Sequence, residues 1–273
     1  MRAQANAQRL LLEKVALSHT NITSHALETR FQFKDFLKVF ALAILLYGGF
    51  AALFSAVPGA GQIVEELPPV ASFIIQYLIQ FVILFFPLWI FVVSKYEADL
   101  KDFGFQTVPW KSLLKTVSLC YVVYLICSTS ISALLTALDL KLPGYDVQQS
   151  YLPLFGNDII GLLVGFFFIA VAAPFLEELL FRGFVYRVFV KTMAPWVGSL
   201  LTAILFALAH MQLATFFPLL ILGLLLNYSY KKTGSVWTPV ALHSLNNIIA
   251  FSVDIYFTSH PDALEQVTAF LYK

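Results

Sequence analysis

The chain has 273 residues, of which 59% are hydrophobic and only 12% charged, about half the charged share of an ordinary soluble domain. With a mean hydropathy of +0.80, this excludes a soluble globular fold, which could not hide so much apolar surface, whereas lipid accepts it. A net charge of +1 excludes a nucleic-acid partner, which demands a basic face.

In chain order, residues 1–35 form a polar arm. Its apolar patch, Leu10 to Leu12, is too short for the core of a signal peptide, and charges continue through Glu28 and Arg30. Asn21-Ile22-Thr23 matches a glycosylation sequon, but the topology derived below puts it inside. A membrane helix needs about 20 mainly apolar residues. Such runs are expected at Phe36–Val57, Val70–Ser94, Leu113–Leu138, Ile159–Leu176, Trp196–Met211, Ala214–Tyr230 and Val236–Phe257. The fourth is expected either to stop near Pro174 or to continue as a separate helix to about Val190. Punctuation falls at Pro58-Gly59, Pro68-Pro69, Pro143-Gly144 and Thr233-Gly234. Cys120 and Cys127 lie inside an apolar run and read as core thiols. The expected fold class is all-α, a polytopic transmembrane bundle of about seven or eight helices, with a membrane domain at 36–257 and a tail at 258–273.

Lys and Arg set the orientation. The arm carries Arg2, Arg9, Lys14, Arg30, Lys34 and Lys38, and the next loop has no basic residue. Lys95, Lys101, Lys111 and Lys115 follow, then Lys141 alone, then Arg187 with Lys191, and finally Lys231-Lys232. The alternation places the N-terminus in the cytoplasm.

Ionisable residues inside membrane spans are costly and are functional candidates. They gather at Glu177-Glu178 with Arg182, at Phe206 with His210, and at His243 with Asn246-Asn247. Glu178 and Arg182 stand four apart, acid before base, which favours a pair on one helix face. Glu177 is turned about 100° away and stays free to act as a base. His210 and the His243–Asn247 pair serve equally as interhelical hydrogen-bond groups or as a catalytic set. Counting about 1.5 Å per residue from the basic flanks brings all three groups to mid-membrane, where one polar cavity can hold them.

Glu-Glu-x-x-x-Arg, Phe-x-x-x-His and His-x-x-x-Asn, in this order over residues 155–257, resemble the type II CAAX prenyl endopeptidases, also called the CPBP or Abi family of intramembrane proteases. The resemblance implies an endopeptidase with a protease-like core at 155–257 and helices around a cavity open to cytoplasm and membrane. It implies a catalytic set of Glu177, Glu178, His210, His243 and Asn247, supported by Arg182 and Phe206. Glu177 would activate water with help from His210, and His243 with Asn247 would hold the oxyanion. Glu178 and Arg182 would steady the catalytic helix.

A metal-free glutamate mechanism needs only these residues and is the favoured version. Two His and two Glu would also make a zinc set, although the His-Glu-x-x-His signature is absent. The expected partners are membrane lipids and a membrane-associated protein or peptide substrate, with no nucleic acid. The expected location is a bacterial plasma membrane, where a peptide precursor or membrane-anchored protein is a better substrate than a prenylated one. The rival readings are a non-proteolytic scaffold or bacteriocin self-immunity protein of the same fold, and a transporter. The transporter is disfavoured because no internal repeat is present.

Overall fold

Eight helical runs and no strand make up the described residues of the computed structural model, which are 27–138, 150, 152–156, 158–213, 215–260 and 262–263. The sequon at Asn21, Lys141, most of the polar arm and most of the tail lie outside them. α1 (Phe33–Ala56) opens where Asp35 accepts a hydrogen bond from the Gln32 amide at 2.9 Å, closing its first turn. The short α2 (Ala60–Glu65) leads to α3 (Pro69–Ser94), which starts on a proline whose missing N–H has no intrahelical partner to lose. α4 spans Trp110–Ala137 and α5 Ile159–Thr192. α6 (Pro195–Ala209), α7 (Phe216–Thr233) and α8 (Trp237–Ser259) complete the bundle. Gly234 ends α7 with φ 71°, the left-handed conformation that glycine adopts without a Cβ clash.

Five of these helices are long and apolar enough to cross a membrane: α1, α3, α4, α5 and α8. The chain is an integral membrane protein. The outer faces of α1 and α4 present rows of exposed apolar side chains, such as Ile44, Leu45, Leu125 and Ile126, suited to lipid.

Three expectations about spans are corrected. The run expected at Ala214–Tyr230 forms α7, which carries Lys231 and Lys232 in its last turn and is not among the five helices long and apolar enough to cross. Helix α6 has 15 residues, about 22 Å at 1.5 Å per residue and short of a hydrocarbon core of about 30 Å. It stops at Ala209 because His210 caps it and Met211 turns left-handed, with φ 54°. The fourth span does not divide at Pro174. α5 is one run of 34 residues, about 51 Å long, so it extends past the hydrocarbon into the interface. The helix survives the proline by widening to a π pitch over Phe167–Ala172, just before Pro174. That relaxes the contact between the proline ring and the carbonyl four residues back. A second π segment follows at Leu179–Tyr186.

The main core packs Phe31, Leu88, Val92, Phe184, Phe206, Leu226 and Leu242 between α3, α5, α6, α7 and α8. A smaller cluster joins Leu152, Phe155 and Phe251 at the other end of α8. Basic segments from four parts of the chain meet at one end. Lys95 binds Asp35 at 2.7 Å, Arg30 binds Asp102 at 2.9 Å, and Lys191 donates to the Thr29 carbonyl at 2.8 Å. Arg187 donates to the carbonyls of Glu28 and Asp102. The Val236 amide donates to the Gly104 carbonyl at 2.9 Å, which brings the end of α7 to the same place.

Candidate active site

The two π segments bracket Glu177 and Glu178, and they set which way each carboxylate faces. Glu178 and Arg182 are fully buried and pair at 2.8 Å, four residues apart as their spacing predicts. Arg182 also donates to α7. Its Nη2 donates to the Gly223 carbonyl at 3.0 Å and its Nε to Asn227 Oδ1 at 3.2 Å. The guanidinium also lies over the Phe206 ring, 4.5 Å from its centre. α6 and α7 approach closely enough for this because Gly223 has no side chain. A Cβ there would sit 3.0 Å from that of Ala203.

Glu177 points elsewhere, and its side chain keeps 31% of its surface exposed. Its Oε2 faces His210 Nε2 at 3.7 Å and has no hydrogen-bond partner. His210 Nδ1 lies 2.8 Å from the Phe206 carbonyl. A carbonyl only accepts, so Nδ1 carries a proton, and in the neutral imidazole the acceptor Nε2 is the atom turned towards Glu177. Two acceptors thus face one gap, and a water about 2.8 Å from both could donate a hydrogen to each.

His243 is buried, and its Nδ1 meets Glu178 Oε1 at 2.8 Å, the same oxygen that Arg182 holds. This leaves Nε2 as its open edge. The Phe206 ring stands edge-on to both histidines, at 4.9 Å from His210 and 5.5 Å from His243. Asn247, one turn after His243, donates through Nδ2 to the Ile169 carbonyl at 2.9 Å, in the first π segment. Its amide has a second N–H. The bundle therefore brings together Glu177 with His210, and Glu178 with Arg182 and His243. It ties Asn247 to the same helix, α5, through Ile169.

Sequence reasoning did not find Asn227, Ser199 or Gly223. A lone amide inside the apolar stretch Leu222–Tyr230 was the available signal for Asn227. Nor do cavities of about 510 Å³ and about 340 Å³ surround the motif residues. They lie at the basic end, beside Lys191 and Arg187.

The donor set does not suit a metal. Among the described residues no three His, Cys, Asp or Glu side chains are grouped to hold one. No step is derived through a metal.

Residues 159–249, about a third of the chain, match the family described as Rce1-like: Type II CAAX prenyl endopeptidase Rce1-like. The match falls within the stretch that carries the three motifs and supports the resemblance read from them. An uncharacterized 24.3 kDa protein of Escherichia coli is 38% identical over 80 residues, which cover 28% of this chain and 37% of that protein. The chain thus spans little more than a third of this relative. No solved structure matches the chain.

Proposed function

Starting from an Rce1-like core at residues 159–249, we propose that this protein is an intramembrane endopeptidase that cleaves a membrane-associated protein or peptide with water activated by Glu177. One observation carries the reading. The unpartnered Glu177 Oε2 and the bare His210 Nε2 face each other across 3.7 Å, a gap that calls for a hydrogen-bond donor such as water.

In the reaction, the water bridging the pair gives a proton to Glu177 while its oxygen attacks the scissile carbonyl carbon. His210 Nε2 accepts the second hydrogen bond and aims the lone pair. The tetrahedral oxyanion is held by His243 Nε2 and by the second N–H of Asn247. His243 donates there as an imidazolium, stabilised by Glu178, whose Oε1 lies 2.8 Å from Nδ1. Collapse of the intermediate expels the amine, which takes the proton back from Glu177. No metal enters this sequence of steps. In this reading the basic end of the bundle faces the cytoplasm of a bacterial cell, and membrane lipids surround the rest.

The test is cleavage of a peptide library by the purified protein in detergent, read by mass spectrometry, for wild type and Glu177→Gln, with and without a chelator. Wild type is expected to cleave, the variant to lose about 10²- to 10⁴-fold in rate, and the chelator to change nothing. Equal cleavage by both proteins contradicts the assignment of Glu177, and loss of activity with chelator contradicts the metal-free route.

A further inference from the structure

We infer that Asn227 is a positioning residue for this reaction, acting on His243 through Arg182 and Glu178; the inference rests on the function proposed above. A line of polar contacts runs across the four C-terminal helices. Asn227 Nδ2 on α7 donates to the Ser199 carbonyl on α6 at 2.9 Å and approaches Ser199 Oγ at 3.3 Å. Its Oδ1 accepts from Arg182 Nε on α5 at 3.2 Å. Arg182 Nη1 binds Glu178 Oε1 at 2.8 Å, and that oxygen meets His243 Nδ1 on α8 at 2.8 Å. Asn227, Arg182 and Glu178 have no exposed surface, and His243 has 2%.

The chemistry of the ends fixes the direction of the amide. Arg182 only donates and the Ser199 carbonyl only accepts, so a flipped Asn227 would set donor against donor and acceptor against acceptor. The amide therefore has one orientation, and it supplies the acceptor that Nε needs. Glu178 uses a single oxygen for both partners while its Oε2 stays unpartnered. Its rotation is thus governed by where the guanidinium fork sits. Without Asn227, a buried N–H is orphaned, the fork turns to find an acceptor, and Glu178 turns with it. The bond that orients His243 is then lost or lengthened.

Packing of α6 on α7 does not depend on the amide, because Gly223 and Ala203 already set their approach. Positioning and stability are therefore separable. Asn227→Leu keeps the branched outline of the side chain and removes its hydrogen bonds to Arg182 and Ser199. The experiment uses protein with ¹⁵N-labelled histidine in detergent, the His243 signal being identified by its loss in His243→Gln. For Asn227→Leu the expected result is a displaced His243 signal, a melting temperature within a few degrees of wild type, and kcat on a cleaved peptide lower by about 10- to 100-fold. KM is expected to stay within about two-fold of wild type. Should that variant not fold, Asn227→Asp keeps an acceptor beside Arg182 yet draws the fork from Glu178, and it is expected to displace the same signal. An unmoved His243 signal in the folded variant overturns the inference. So does a fall of kcat, KM and melting temperature in step, which would mark Asn227 as packing alone. If wild type cleaves nothing while the His243 signal still moves, the protease reading fails and the positioning of His243 by Asn227 stands.

Discussion

Arg182 is where single-residue energetics are largest. It is fully buried, and Glu178, Asn227 and the Gly223 carbonyl all depend on its charge or its N–H groups. Removing one partner of a buried ion pair strands the other, at a cost of about 3–5 kcal/mol. Arg182→Ala is accordingly expected to lower unfolding free energy in detergent by about that amount, and a loss under 1 kcal/mol would contradict the role given to it. The Glu178–Arg182 pair was legible in the sequence because a spacing of four on a helix is a local relation. The bond from His243 to Glu178 was not, since it joins residues 65 apart and depends on how α8 lies against α5. For the same reason His243 read as a partner of Asn247 alone, whereas in the fold Asn247 is held by Ile169.

Among the elements, α5 departs most from the sequence reading. Pro174 invited a break, yet the helix continues by opening to a π pitch over Phe167–Ala172. Hydropathy locates apolar length but carries no signal for how a helix absorbs a proline. The π turn also sets the rotation of Glu177 relative to the preceding turns. Pro174→Ala removes the ring that the wider pitch accommodates, so the segment is expected to tighten towards an α pitch. Cleavage should then fall by about ten-fold or more, while the melting temperature stays within a few degrees. Unchanged cleavage would show that the π turn does not depend on the proline. Helix α6 was overestimated for a related reason. The apolar run goes on through Met211, but the left-handed turn at that residue (φ 54°) ends the helix earlier.

At the scale of the whole molecule, the regular alternation of basic segments in the sequence corresponds to their meeting at one end of the bundle. What the sequence could not show is how they are tied together, because the ties are mainly to backbone carbonyls of distant segments, as Lys191 is to Thr29. If this end faces the cytoplasm, a cysteine placed at Arg30 in a chain without Cys120 and Cys127 is expected to react with an impermeant maleimide only after cells are opened. Labelling of intact cells would reverse the orientation. The hydrogen bond to Asp35 raises the pKa of Lys95 above its ordinary 10.5. The tie is therefore fully present below that value and lost as pH rises through the raised one. Melting temperature should fall over this alkaline window in wild type and less so in Lys95→Met, and an identical slope in both would remove Lys95 as its source.

The most direct measurement of the central claim is single-turnover cleavage of one good peptide by wild type, Glu177→Gln, His210→Ala and the double variant. If Glu177 and His210 act as one unit on one water, each single change abolishes most of the activity and the double variant is little worse than Glu177→Gln alone. If Glu177→Gln cleaves as wild type does, or if the two losses multiply as independent effects, the shared water between them is not the nucleophile.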